Sequence, residues 1–184
     1  MPLLQRLRAD HAPALLAFER ENRAYFAASV PDRGDDYFTR FDDRHRELLA
    51  EQARGLHFFH LVVGDGGEVL GRVNLIDVAD GSAELGYRVA RRAAGRGLAT
   101  AAVREVCELA AGEYGLTTLR AVTTPDNAGS RAVLARTGFT PTGEVDLDGR
   151  PGLAFVRRCA ADGRAGRSAQ SSSGVSLSET ELMQ

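Results

Sequence analysis

A glycine-rich turn between two strand-like runs constrains the fold of this chain more than any other feature. Gly64-Asp65-Gly66-Gly67 separates residues 56–63 from residues 68–78, and both runs are rich in aromatic and β-branched side chains. Such a pattern is typical of a β-hairpin. A second turn at Asp80-Gly81 leads into a third strand-like run, residues 83–90. The sequence therefore predicts three consecutive antiparallel strands.

The apolar period changes after these strands. Leu98, Ala102, Val106 and Leu109 recur at intervals of three or four residues, which predicts a helix over residues 98–113 packed against the sheet. The remaining predicted elements are strands at 3–7, 116–123, 139–147 and 153–158, helices at 10–22, 37–54 and 127–136, and a loop at 30–36. Antiparallel strands, a crossover helix and a further strand indicate an α/β fold with a mixed, mostly antiparallel sheet and helices on both faces.

Length and composition indicate one folded domain. The chain has 184 residues, of which 43% are hydrophobic, so it is long enough for one core but short for two full domains. We assign the domain to residues 1–159. Residues 160–184 are dominated by Ser, Gly, Ala and Arg, and this composition predicts a flexible tail.

Charge and cysteine usage argue against several classes of function. The formal charge of −2 gives no broad basic surface for nucleic acid, and no apolar run reaches the roughly 20 residues that span a bilayer. The first residues lack the apolar core of a signal peptide. Cys107 and Cys159 lie outside metal-binding spacings. We therefore expect a cytoplasmic monomer or homodimer that binds no nucleic acid, membrane or metal.

The segment between the third strand and the helix at 98–113 has the chemistry of an anion site. Gly95 and Gly97 allow the backbone to turn tightly and approach a ligand, and the following helix supplies unpaired N–H groups and a positive dipole end. Arg91, Arg92 and Arg96 add positive charge. These features suit a pyrophosphate, although a glycine turn with solvated arginines is the alternative. Neither a Walker A loop nor a dinucleotide GxGxxG pattern fits the residues.

Arg92-x-x-Gly95-x-Gly97 resembles the acetyl-CoA pyrophosphate signature of the GNAT N-acetyltransferase superfamily. The resemblance extends to Glu84-Leu85-Gly86-Tyr87, Pro125-Asp126-Asn127-Ala128-Gly129-Ser130 and Thr137-Gly138-Phe139, a combination similar to the RimJ/RimL branch. It implies a sheet that splays around acetyl-CoA, with an amine acceptor arriving from the opposite side. A protein N-terminal α-amino group is the leading acceptor. The alternatives are a small-molecule amine and a non-catalytic acyl-CoA sensor.

The resemblance also implies which residues contact acetyl-CoA. Val89 and Ala90 would offer backbone groups to the pantetheine amides, as though the ligand were an added strand. Asn127 would contact the pantetheine arm, but it is equally suited to be a helix N-cap. The full predicted set is Val89, Ala90, Arg91, Arg92, Gly95, Arg96, Gly97, Ala99, Thr100, Asn127 and Ser130.

Two residues are predicted to be catalytic, Glu84 and Ser130. A strand carboxylate is partly desolvated, which suits Glu84 to act as a base through water, while ammonium binding or a salt bridge to Arg88 are its alternatives. Many family members carry a tyrosine four residues before the Gly-Phe pair as acid for the thiolate, but this chain has Leu134 there. Ser130, water or no acid at all must then serve. The predicted acceptor residues are Glu21, Tyr25, Phe26, Tyr37 and Glu84.

Overall fold

The structure is a computed structural model that describes residues 2–159, so the predicted tail at 160–184 lies outside the described residues. The elements in chain order are β1 (Leu3–Arg6), α1 (Ala12–Ala27), α2 (Asp35–Thr39), α3 (Phe41–Ala53), β2 (Phe58–Val63), β3 (Val69–Ala79), β4 (Ser82–Val89), α4 (Leu98–Gly112), β5 (Thr118–Thr123), α5 (Ala128–Arg136), β6 (Thr140–Leu147) and β7 (Arg150–Arg158).

The strands form one sheet in the order β1-β2-β3-β4-β5-β7-β6. The pairing of β4 with β5 is parallel, whereas the other neighbouring strands pair antiparallel. The parallel pair requires a crossover, and α4 supplies it. This arrangement confirms the predicted mixed, mostly antiparallel sheet and the hairpin at residues 64–67.

Helices cover both faces of the sheet, because successive side chains of a strand point to opposite sides. On β3, Val73 and Leu75 pack with α4 and α5, whereas Ile76 packs with α1 and α3. We call these two sides the α4 face and the α1 face. Each face has its own apolar core, so the sheet is held between two layers of helix.

The first two helical regions differ from the sequence prediction. Asp10 is not an N-cap: it lies in a short 3₁₀ turn, and its carboxylate accepts a hydrogen bond from Arg8 at 3.0 Å. Helix α1 then continues five residues beyond the predicted end, since Phe26 in its last turn is buried beside Phe18. The predicted helix at 37–54 is instead two helices that meet at Arg40.

The described residues also bear on cysteines and membranes. Cys107 and Cys159 are buried free thiols, and burial raises the pKa of both. Within residues 2–159 no helix has the length and apolar character needed to cross a bilayer.

Candidate active site

A gap opens in the sheet between β4 and β5. Their parallel pairing runs only from Ser82 and Thr118 to Glu84 and Arg120, and beyond that point the two strands separate. A cleft of about 450 Å³ occupies the separation, lined by the ends of both strands, the last turn of α1, the start of α4 and one side of α5. The splayed sheet expected from the sequence is therefore present.

The open edge of β4 leaves backbone groups facing this cleft. The Ala90 N–H donates to the Leu70 carbonyl on the β3 side at 2.8 Å, and the Ala90 carbonyl accepts from the Ala93 N–H. Because bonding directions alternate along a strand, the groups directed towards β5 belong to Val89, Tyr87 and Leu85. Both polar groups of Ala90 are already bonded within the protein, so its predicted backbone contact stays a prediction, whereas Val89 lines the cleft.

The glycine loop lies at one end of the cleft. Gly95 and Gly97 have φ angles of +75° and +78°, a region that strongly favours glycine, and Gly97 is the N-cap of α4. A Cβ at either position would meet no protein atom within 4 Å, so both face open space. The first N–H groups of α4 have no acceptor within the helix. Gly95, Gly97, Ala99 and Thr100 all line the cleft.

The three loop arginines lie outside that lining. Arg91, Arg92 and Arg96 are exposed to solvent, and none is among the residues that border the cleft. The Arg91 backbone N–H donates to the Asn22 Oδ1 at 2.9 Å, which anchors the loop to α1. The loop therefore presents backbone donors to the cleft and guanidinium groups to the surrounding water.

Tyr87 and Ser130 form a hydroxyl pair inside the cleft, and the sequence did not predict this contact. The Tyr87 hydroxyl lies 2.9 Å from the Ser130 Oγ and 3.1 Å from the Ser130 carbonyl oxygen, to which it can donate. Burial raises the pKa of Tyr87 to about 12, so the phenol keeps its proton near neutral pH. Leu134 lines the same cleft and is fully buried. The alternation of β4 already placed Tyr87 on the α4 face, but only the fold brings it to Ser130.

Asn127 is the N-cap of α5, and its contact with the pantetheine arm stays a prediction. Its Oδ1 accepts a hydrogen bond from the Ser130 N–H at 3.0 Å, so it is the N-cap of α5. The residue also lines the cleft. The cap fixes the first turn of α5 and with it the position of Ser130.

Glu84 lies at the closed end of the gap. It is 8% exposed, pairs in register with Arg120 on β5, and does not border the cleft, whose β4 lining starts at Leu85. Its side chain points to the α1 face, because it alternates with Leu85. The catalytic role of Glu84 therefore stays a prediction.

The predicted acceptor residues separate into two groups. Tyr25 and Phe26 line the cleft, Tyr25 being 41% exposed and Phe26 buried. Glu21 is exposed, and neither Glu21 nor Tyr37 borders the cleft. The Tyr37 ring lies under the Arg33 guanidinium, with its centroid 4.6 Å from the central carbon.

A buried group of charges borders the cleft on the α1 face, and sequence reasoning missed it. The Glu19 carboxylate contacts Arg72 at 2.6 Å, Arg88 at 3.4 Å and Arg33 at 3.7 Å. We call these four residues the arginine cluster. Burial alone would raise the pKa of Glu19, but the charges of Arg72, Arg33 and Arg88 outweigh it and hold that pKa below its ordinary value. Glu19 is therefore ionised near neutral pH.

Metal ligation has no candidate in the part of the chain that the structure describes. Within residues 2–159, no group of three or more His, Cys, Asp or Glu side chains is arranged to hold an ion. His60 bonds to Tyr114 on the α4 face, and burial lowers its pKa to about 4.

Comparisons with known proteins agree with this geometry. A family model described as an acetyltransferase (GNAT) domain matches residues 3–140. The probable N-acetyltransferase YjcK of Bacillus subtilis is 31% identical over 144 residues, covering 74% of this chain and 79% of YjcK.

Two solved structures share the fold. The ribosomal-protein-S5-alanine acetyltransferase of Vibrio fischeri superposes with a TM-score of 0.81 at 19% identity, covering 86% of this chain and 97% of that chain. Mycobacterium smegmatis RimJ in complex with CoA-disulfide gives a TM-score of 0.76 at 27% identity, covering 84% and 80%. The resemblance stated from the sequence motifs is confirmed.

Proposed function

We propose that this chain, which belongs to the GNAT acetyltransferase family, transfers acetyl from acetyl-CoA to the α-amino group of a protein N-terminus. N-acetyltransferase activity follows from the family and from YjcK. The gap between β4 and β5 is the observation that carries the reaction, because it joins the glycine loop to a wall formed by α1. The likeness in fold to the ribosomal-protein-S5-alanine acetyltransferase supports the choice of a protein acceptor. We place the activity in the cytoplasm, where new protein N-termini arise.

The residues present fit acetyl-CoA. Gly95 and Gly97 leave open the space that a Cβ would fill, and the start of α4 adds N–H donors suited to phosphate. The edge of β4 offers the backbone of Val89 and Tyr87 along the gap. When bound, acetyl-CoA supplies a thioester, an acyl group already activated for attack by an amine.

Tyr87 and Ser130 are proposed to stabilise negative charge within the cleft. The phenol holds its proton at neutral pH, because burial raises its pKa to about 12. It can therefore donate a hydrogen bond to an oxygen or sulfur that gains charge, and this placement offers the donor that Leu134 cannot provide. The N-cap at Asn127 positions Ser130 for the same task.

Glu84 is proposed to accept the proton of the amine through water. Its position one residue beyond the cleft lining is compatible with a bridging water and excludes direct contact along the wall. Tyr25 and Phe26 would enclose the acceptor, since both belong to the wall that α1 contributes.

An acceptor comparison tests the proposed function. We would offer acetyl-CoA with unblocked peptides, with the same peptides blocked at the N-terminus but carrying lysine, and with small amines, and locate the acetyl group by mass spectrometry. We expect transfer to the α-amino group of the unblocked peptides. Acetylation of small amines alone would overturn the N-terminal assignment, and tight CoA binding without transfer to any amine would favour the sensor.

The paired variants Glu84→Gln and Tyr87→Phe separate the two catalytic roles. Loss of a general base should lower kcat/KM by about 10²–10⁴-fold and remove the ascending limb of the pH profile, whereas loss of one hydrogen-bond donor should lower kcat by about 10–10²-fold at unchanged pH dependence. Both variants should keep their affinity for acetyl-CoA. A Glu84→Gln enzyme with full kcat/KM would remove Glu84 from the mechanism.

A further inference from the structure

The arginine cluster carries more positive charge than its own carboxylate neutralises. Three guanidinium groups, from Arg33, Arg72 and Arg88, surround the single carboxylate of Glu19, and the four side chains are 2–8% exposed. Buried charges are costly unless they are paired. Within these four side chains, three guanidiniums share one carboxylate in a region with little water.

The exposed charges beside the cluster are screened by water. Arg23 pairs with Asp32 and Asp35 on the outer side, where Arg23 and Asp32 are each 37% exposed and Asp35 is 89% exposed, so solvent screens them. The Tyr37 ring packs against the Arg33 guanidinium, and the Tyr37 hydroxyl forms a hydrogen bond with Arg72.

Arg88 is the member of the cluster that reaches the cleft. It lines the cleft together with Phe26, and its guanidinium carbon lies 4.8 Å from the Phe26 ring centroid. A second cavity of about 10 Å³, room for one water, borders Arg88 on its other side. Arg72 is fully buried behind it, with an Nε that has no hydrogen-bond partner among the described residues.

The position of Arg88 separates an acceptor anion from the acetyl donor. Arg88 follows Tyr87 directly in β4, so the two side chains lie on opposite faces of the sheet at adjacent positions. An anion bound by Arg88 would therefore lie on the α1 face, at the strand position next to Tyr87. A planar guanidinium binds a planar carboxylate through two parallel hydrogen bonds.

We propose that Arg88 binds a carboxylate of the acceptor, so that the enzyme selects amines carrying an acidic group close to the reactive nitrogen. This proposal rests on the proposed function and names its specificity. The carboxylate comes either from an acidic side chain in the first two residues of a peptide or from the α-carboxylate of a free amino acid. Arg33 and Arg72 act through Arg88, because they keep the local charge positive without bordering the cleft.

The test compares matched acceptors. Two peptides that differ only by Glu or Gln at the second residue, and a free amino acid with its carboxamide, would be acetylated by the wild-type protein and by Arg88→Gln, Arg88→Lys and Arg20→Gln. Arg20 is an exposed residue of α1 and serves as the surface-charge control. Arg88→Gln should fold, since Glu19 keeps Arg72 and Arg33 as partners.

We expect the wild-type protein to favour the acidic acceptor by about 10–100-fold in kcat/KM, the range for a hydrogen bond to a charged group. Arg88→Gln should remove this preference by raising the KM of the acidic acceptor to about that of the neutral one. Arg88→Lys should restore part of it, and Arg20→Gln should retain all of it. Preference within the peptide pair or within the amino-acid pair identifies the source of the carboxylate.

A binding measurement keeps the proposal independent of turnover. Calorimetry in the presence of CoA would compare N-acetylated Ser-Glu and Ser-Gln peptides on wild type and on Arg88→Gln. Tighter binding of the acidic peptide by wild type alone supports the proposal. Equal treatment of acidic and neutral acceptors, in both turnover and binding, would overturn it while leaving N-terminal acetylation intact. Acetylation of small amines alone would defeat the proposed function, and the amino-acid pair would still test Arg88.

Discussion

Two sets of three arginines lie near β4 and differ in their exposure to solvent and in the charges around them. Arg91, Arg92 and Arg96 follow β4 on a loop, all exposed. Arg33, Arg72 and Arg88 are buried around Glu19 on the α1 face. Water screens the charge of the first set, whereas the second set shares the carboxylate of Glu19 in the interior. An ion pair of an exposed arginine therefore contributes little to stability, whereas breaking a buried pair is strongly destabilising.

The pKa values of the buried set reflect this difference. Burial lowers the pKa of Arg88, the nearby Arg33 lowers it further, and Glu19 opposes both effects. The pKa of Arg33 is also lowered by burial, again against the charge of Glu19. Burial would also lower the pKa of Arg72, but Glu19 and Tyr37 outweigh it and raise that pKa. One carboxylate thus stabilises three guanidiniums in the interior, which makes Glu19 the most sensitive position of the cluster.

Replacing that carboxylate should have the largest effect. Glu19→Gln keeps the side-chain volume but removes the carboxylate that contacts three buried guanidiniums, so we expect a loss of about 3–5 kcal/mol in the free energy of unfolding at pH 7. Urea unfolding measures this loss. The exposed Glu21→Gln on the same helix is the matched control and should change stability by less than about 0.5 kcal/mol. A loss below 1 kcal/mol in Glu19→Gln would contradict the charge assignment.

The same variant has a defined pH dependence. The folded-state pKa of Glu19 lies below its ordinary value of 4.5, so the unfolded chain takes up the proton first as the pH falls. The stability difference between wild type and Glu19→Gln should be complete above that value and should shrink as the pH falls through the folded-state pKa. A difference that grows on acidification would show that Glu19 is protonated in the folded protein.

The two sets also differ in how far the sequence predicts them. The loop arginines lie within six residues of one another beside Gly95 and Gly97, so a local pattern identified both the loop and its ligand class. The cluster joins positions 19, 33, 72 and 88 from α1, the next loop, β3 and β4, and the contact of Glu19 with Arg88 spans 69 residues. Strand periodicity placed most elements correctly but carries no information on which helix covers a given strand.

The hydroxyl pair has the same origin. Tyr87 and Ser130 were each inside a recognised motif, but their contact joins β4 to α5 across 43 residues.

The predicted acceptor residues show that suitable side-chain chemistry does not establish where a residue lies. Glu21 had suitable chemistry and is exposed, whereas Glu19, two positions earlier, is buried beside the cleft. The sequence alone does not establish where α1 ends or how it is rotated about its axis. It therefore cannot show that Glu19 is buried and Glu21 exposed.

A substitution in the glycine loop should have the next largest effect. Gly97→Val introduces a β-branched side chain at φ +78° and fills the space facing the cleft, so we expect CoA affinity to fall by at least about 100-fold in a folded protein. Calorimetry measures the affinity and circular dichroism checks the fold. Gly112→Val at the opposite end of α4 is the matched control, since a Cβ there meets nothing within 4 Å and its φ is not positive. Unchanged affinity in Gly97→Val would remove the loop from the binding site.

Substitutions of the loop arginines should have the smallest effect on CoA affinity. The size of this effect shows whether the backbone N–H groups or the arginine charges provide most of the binding. Arg96→Ala removes a guanidinium one residue from Gly97, and Arg92→Ala removes another, but both are exposed and lie outside the cleft lining. An exposed ion pair contributes about 0–1 kcal/mol, so each variant should weaken CoA binding by about fivefold or less. The exposed Arg104 on α4 provides the control.

Because salt screens exposed charges, the difference in CoA affinity between Arg96→Ala and wild type should vanish at about 1 M salt, where the Debye length is about 3 Å. The acceptor preference that depends on the buried Arg88 should persist under the same conditions. A loss as large as that of Gly97→Val would show that the guanidiniums fold over the bound phosphates, and the contrast between exposed and buried arginines would then hold only for the unliganded protein.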